Sequence, residues 1–332
     1  MRESVSKQKP KPQAESPLPV RSNEGSLDVG FEARSILHLQ QTVGNRAVLR
    51  RQPQPQAPNQ TDGPPGTDPK FWEWWKAVQG FEGSLADWEK RPENKNDKGG
   101  KTNWGVTIET YMSRAQAFGL SPTEEGFRAM TPQQAMLFGQ MMWKASAASK
   151  IENPGVGVVL ADWYWGGVNL NRFKTLMQEQ GGTASFNLGT PDAKTVEFMN
   201  SLPPGALIEF MSDEKAEQYK AIVAKDPTQK DFLKGWLDRN EKRREQAYEL
   251  AGIGDVQVHA QQAIAQAETV VKQGVDADSK AKGNARLGLQ AVIGRIERRQ
   301  AQGFTDENEE KTIANLKGQV LGELTKVMDL GS

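Results

Sequence analysis

The stretch "FEGSLADWEKRPENKNDKGGKTNWGVT", Phe81 to Thr107, places one carboxylate, Glu82, between an aromatic-rich segment and a glycine. Upstream, Phe71, Trp75, Val78 and Phe81 recur at steps of three and four, the spacing of one buried helix face. Gly83 reads as the stop of that helix. An acid at such an edge, close to aromatics, is expected to be partly desolvated, which raises its pKa and keeps it protonated. A general acid that protonates a glycosidic oxygen has this requirement. The polar loop that follows offers turn geometry at Gly99-Gly100 and hydroxyl or amide groups at Thr102, Asn103 and Thr107 that can hold a water or a sugar hydroxyl. Trp88 and Trp104 present flat apolar faces of the kind that pack on pyranose rings, although tryptophans serve a core more often than a glycan.

Outward from this stretch, the chain of 332 residues divides by composition into three regions. Residues 1–68 are rich in Pro, Gln, Ser and charge and are expected to be disordered. One island, at about 33–50, places Ile36, Leu39, Val43 and Ala47 on one helical face beside Arg46, Arg50 and Arg51, the pattern of a short docking helix. Residues 69–254 hold all nine tryptophans and several helical patterns, with short strand pieces only in the loop at 95–108. Thr131-Pro132 and Thr190-Pro191-Asp192 read as N-caps followed by proline in the first turn, and Pro203-Pro204-Gly205 as a break. Residues 255–332 keep Phe304 as their sole aromatic and read as three helices with thin apolar stripes, Val256, Ala260, Ile264 and Ala267 on one and Leu287, Leu289, Ile293 and Ile296 on another. The expected fold is mainly α, with one long irregular loop, a disordered N-terminal tail and a C-terminal helical extension.

Composition closes off several chemistries. Lys+Arg and Asp+Glu balance at 42 each, so no basic field argues for nucleic acid. The absence of cysteine removes thiolate nucleophiles and cysteine–zinc sites, and the two histidines, His38 and His259, lie too far apart to suggest a triad or a metal cluster. No metal or cofactor is expected, and the chemistry falls to carboxylates, hydroxyls, amides or lysines. The N-terminus carries charge and proline where a secretory leader needs an apolar run, which points to synthesis in the cytoplasm without a signal peptide. The most apolar run, Val156 to Leu170, is too short to cross a membrane and contains Asp162.

"FEGS" followed by "NDKGGKTNWGVT" resembles the signature of family 108 of the glycoside hydrolases, bacterial and phage lysozymes (N-acetylmuramidases): Glu-Gly-Gly, a spacer, then Asp-x-Gly-Gly-x-Thr-Asn-x-Gly-Ile-Thr/Ser. "TPQQAMLFGQMMWKAS" occupies the place of the family's helix ending in Tyr/Phe-Trp. "LADWYWGGVNLNRFKTLMQ" resembles the start of its peptidoglycan-binding segment, and "FLKGWLDRNEKRR" the closing Gly-Trp-Leu-Asn-Arg helix. The resemblance spans about Phe71 to Arg244. It implies a lysozyme-like fold and hydrolysis of the β-1,4 bond between N-acetylmuramic acid and N-acetylglucosamine. Glu82 takes the place of the catalytic glutamate, and Asp97, Gly99, Gly100, Thr102, Asn103 and Gly105 those of the loop signature. For the second role, Asp97 is the nearest carboxylate, with Glu93 and Asp87 behind it, or Thr102 or Thr107 places the attacking water. Two positions depart from the pattern: Ser84 stands for the second glycine of Glu-Gly-Gly, and the family's Asn-Ser-Gly falls on Gly166, Gly167 and Val168.

In the tail, "LQQTVGNRAVLRR", Leu39 to Arg51, resembles a short motif of proteins encoded with extracellular contractile injection systems. It implies a particle partner bound through Ile36–Val48 and a route to the cell wall without a leader. The expectation is thus a peptidoglycan hydrolase loaded onto, or released from, such a particle. The alternative is a lysozyme-like adaptor that grips peptidoglycan without cleaving it.

Overall fold

The computed structural model describes residues 63–91, 94, 100–167, 170–179, 186–187 and 190–330. The tail, with its expected docking helix, and loop residues Asp97 and Gly99 lie outside the described residues.

Helix α1, Pro69–Phe81, starts where the Asp68 side chain accepts the Lys70 backbone N–H at 2.9 Å, with proline in the first turn where its missing N–H costs nothing. It buries Phe71, Trp74, Trp75 and Val78. The helix stops at Phe81 because Glu82 turns extended (φ −98°, ψ 138°); Gly83, the expected stop, comes one residue too late. Ser84 then caps α2, Leu85–Glu89, in a capping box with Asp87. Its φ of −68° is ordinary for any residue, so serine at the place of the family's glycine carries no backbone strain and supplies the cap.

The loop returns as a two-stranded antiparallel hairpin, β1 Thr102–Asn103 and β2 Val106–Thr107, with Thr102 opposite Thr107 and Asn103 opposite Val106. Trp104 (φ 50°) and Gly105 (φ 79°) form its two-residue turn, both left-handed as such tight hairpins demand. Thr107 caps α3, Ile108–Arg114, which is followed by α4, Glu124–Arg128, and by α5, Pro132–Ala145, capped by Thr131 with Gln134.

Helix α6, Pro154–Trp165, is the centre of the main body: its residues from Gly155 to Trp165 are buried. It is apolar all round because α1, α5 and two later helices enclose it. Next come α7, Leu170–Glu179, and a second short hairpin, β3 Phe186–Asn187 with β4 Thr190–Pro191. The cap of α8, Ala193–Asn200, is Asp192, whose side chain accepts from Thr195; the expected cap, Thr190, pairs in β4 instead. After Pro203 run α9, Pro204–Lys225, and α10, Lys230–Leu250, which close on α6.

The last three helices are α11, Val256–Gln273, α12, Ser279–Gln302, and α13, Glu307–Asp329. They share a core of their own built on Ala260, Ala263, Ala267, Leu289, Val292, Ile296, Ile313 and Val320. The alanines let α11 lie close to its neighbours, so a thin stripe suffices. Leu287 departs from its expected place and packs against the main body. There the seam is polar: Asn284 donates to Ser201 O at 2.7 Å, and Arg295 to Ile253 O at 2.5 Å. Arg298 reaches Glu209, which also accepts from Tyr248. The described part is therefore mainly α, in keeping with a lysozyme-like fold. Among the described residues, no helix is long and apolar enough to cross a membrane.

Candidate active site

The first link in the site is the sharp exit of α1. It swings Glu82 off the helix and under the turn of the β1–β2 hairpin. Four hydrogen bonds fix the hairpin there. Trp104 donates its backbone N–H to Gly83 O at 2.8 Å and its indole N–H to Met130 O at 3.1 Å. Asn103 accepts the Leu85 backbone N–H at 2.9 Å and donates to Phe127 O at 2.8 Å. The close approach explains Gly105: a Cβ there would lie 2.6 Å from Glu82 Cγ, 2.8 Å from Cδ and 3.1 Å from Trp165 Cζ2. Only a residue without a side chain, free to adopt φ 79°, fits both demands.

The Glu82 side chain is 7 % exposed, so the expected desolvation is present. Its surroundings differ from the expected purely aromatic ones. Oε1 accepts from Arg239 Nη1 at 3.0 Å and from Trp165 Nε1 at 3.4 Å. Arg239 is 8 % exposed and reaches Asp162 Oδ1 through Nη2 at 3.4 Å, while Arg243 Nε lies 3.1 Å from the same oxygen. The ring of Phe81 lies under both guanidiniums, 5.7 Å from Arg239 and 5.6 Å from Arg243. A buried chain of alternating charge, Glu82–Arg239–Asp162–Arg243, thus links the end of α1 to α6 and α10.

The charges sustain one another. Burial works against the Asp162 carboxylate, but Arg243 and Arg239, followed by Lys215, hold its pKa below the usual carboxylate value. Burial likewise works against the Arg239 cation, and Asp162 and Glu82 outweigh it, so its pKa is raised. Arg243, with a smaller share of negative charge and Arg239 as neighbour, is lowered by burial. Lys215, 2 % exposed, donates to Gly166 O and Gly167 O, each at 2.6 Å. This explains a departure noted in the sequence: a Cβ at position 166 would meet Lys215 Nζ at 2.9 Å, so glycine makes room for the ammonium.

The other expected site residues separate into two groups. Thr102 and Gly100 are half-buried at the outer end of the hairpin, and Trp88 and Trp104 are partly buried against the main core. Asn103 and Thr107 are each 2 % exposed, and their polar groups bond within the scaffold of the loop. The Asn103 amide ties the hairpin to α2 and α4, and the Thr107 hydroxyl caps α3 and lies 2.8 Å from the Thr110 hydroxyl. Asp87, a reserve candidate for the second carboxylate, is committed to the Ser84 cap, and the Ser84 hydroxyl holds its pKa low. Asp97 and Gly99 lie outside the described residues. Sequence reasoning missed Arg239, Arg243 and Lys215. The available signal was Asp162, a charge inside the most apolar run, which needs buried cations as partners.

Two cavities of about 270 and 260 Å³ lie elsewhere, on the seam with α11 and α12, lined by Arg295 and Arg298 in one and by Pro203 and His259 in the other. Neither touches Glu82. Among the described residues, no group of His, Cys, Asp and Glu could hold a metal ion.

Residues 76–167 match the family model of Glycosyl hydrolase 108. No curated protein and no solved structure matches the chain. The matched segment begins inside α1 and ends at Gly167, so it contains Glu82, the hairpin and Asp162 and leaves out Lys215, Arg239 and Arg243. This segment is thus similar to a glycoside hydrolase domain, which supports a glycoside hydrolase whose lysozyme-like activity would act on peptidoglycan.

Proposed function

We propose that the chain cleaves the β-1,4 bond between N-acetylmuramic acid and N-acetylglucosamine, with Glu82 as proton donor. The supporting observation is the setting of Glu82 within the matched segment: one desolvated carboxyl, oriented from two sides, under a hairpin turn that admits only glycine. In the reaction, Glu82 gives its proton to the glycosidic oxygen as the bond from that oxygen to the anomeric carbon breaks. Water supplies the hydroxyl that ends on the anomeric carbon, and its released proton restores the acid. Asp97 or Thr102 orients that water. Asp162 does not compete for this role, since it is buried between Arg239 and Arg243. Trp88, Trp104, Gly99 and Gly100 line the approach of the glycan. Residues 69–254 carry the catalytic and wall-binding unit, and 255–332 form a helical unit packed on it.

The bond assignment is tested by digesting purified sacculi with the full chain, reducing the products with borohydride and identifying the reduced sugar. Reduced muramic acid is expected; reduced glucosamine alone would assign the cut to the other bond.

We further propose association with a phage-tail-like contractile particle through Ile36–Val48, supported by the Gly44-Asn45-Arg46-Ala47-Val48 motif within the amphipathic pattern. Co-purification of the full chain with such particles, lost on replacing Ile36, Leu39 and Val43 by aspartate, is the expected result. Retention of the triple variant would remove that role from the segment.

A further inference from the structure

We infer that Arg239, on α10 and outside the segment matched to the hydrolase family, is the positioning residue of Glu82 and that the active site is incomplete without it. The inference rests on the proposed role of Glu82 as acid.

The geometry is specific. Arg239 approaches Glu82 from 157 positions further along the chain and makes the shorter of the two contacts on Oε1, 3.0 Å against 3.4 Å from Trp165. Fixing Oε1 from both sides sets the plane and direction of the whole carboxyl group. Arg239 is itself held on two further sides, by Asp162 Oδ1 at 3.4 Å and by the Phe81 ring at 5.7 Å. Phe81 is the residue before Glu82, so one guanidinium grips two consecutive residues at the end of α1. A planar fork with several donors can do this, whereas an ammonium can serve only one of these partners well. Arg239 therefore sets the aim of the acid.

The test uses the full chain with Arg239→Met, Arg239→Lys and Asp162→Asn, assayed on soluble uncross-linked glycan strands. Turnover and apparent KM are measured, and cooperative unfolding is checked for each variant. Arg239→Met is expected to lose about 100-fold in kcat, the scale of misplacing a reacting group by an ångström, with apparent KM nearly unchanged. Arg239→Lys recovers part of the rate, and Asp162→Asn, which loosens Arg239 without removing it, falls between. A folded Arg239→Met with wild-type kcat would overturn the inference. If that variant does not fold, Arg239→Lys and Asp162→Asn decide it: wild-type rates in both would overturn it equally. Wild-type protein that releases nothing would instead overturn the role of Glu82, and with it that of Arg239.

Discussion

Gly105→Ala tests how tightly the hairpin and the acid are packed together. The substitution acts in two ways. Alanine at φ 79° costs about 1–2 kcal/mol because its Cβ crowds the following carbonyl. The same Cβ would lie 2.6 Å from Glu82 Cγ, about an ångström inside the ordinary 3.5–4.0 Å contact, and would also press on Trp165 at 3.1 Å. Relieving that overlap costs about 1–3 kcal/mol and displaces the carboxyl from Arg239 and Trp165. The expected loss of stability is thus about 2–5 kcal/mol, and an acid moved by an ångström loses roughly 100-fold in rate. Gly119→Ala is the matched control: φ is 70°, yet a Cβ there has nothing within 4 Å. It should lose only the conformational part, about 1–2 kcal/mol, with turnover nearly unchanged. Urea unfolding and release of soluble muropeptides from sacculi, measured on both variants, give the answer. Equal turnover of Gly105→Ala and Gly119→Ala would refute the placing of Glu82 under the turn.

Two further outcomes concern stability. His259, 5 % exposed and with its ring against Gly205 and Tyr248, has its pKa pushed down to about 4 by burial and by Arg295 and Arg298. The native state therefore favours the neutral ring: stability is complete above about pH 6.5, the unfolded value, and falls by about 3 kcal/mol as pH drops to 4. Urea midpoints between pH 7.5 and 4 should converge for wild type and His259→Gln at the acid end; parallel curves would contradict this. Lys215→Met leaves the Gly166 and Gly167 carbonyls buried without their donor and removes a charge that supports Asp162, so a loss of about 3 kcal/mol is expected in the same assay. A change below about 0.5 kcal/mol would show that solvent already satisfies those carbonyls.

Much of the scaffold was legible in the sequence because its signals are local. Thr131-Pro132 marks a helix start through capping and a fixed proline dihedral, and the break read at Pro203-Pro204-Gly205 falls between α8 and α9. Thr190-Pro191 misled because Asp192 next to it is an equally good cap and leaves the preceding residues free to pair with Phe186 and Asn187. The acid and its hairpin were visible in one continuous stretch. The cations that orient the acid were not: Arg239 lies 157 positions away, and although it falls on the arginine of the Gly-Trp-Leu-Asn-Arg resemblance, that likeness gave it no role beside Glu82. The sequence alone leaves Asn103 and Thr107 open for a related reason: amides and hydroxyls build loops as readily as they bind sugars.

The central claim is that Glu82 is the acid of a muramidase. The most direct measurement compares the full-length chain with Glu82→Gln for release of soluble muropeptides from purified peptidoglycan, alongside pelleting of each protein with the sacculi. The account predicts release by wild type, loss of release in the variant, and equal pelleting of both. Release by Glu82→Gln at the wild-type rate would contradict it, and two proteins that pellet without releasing anything would leave a wall-binding adaptor in place of the enzyme.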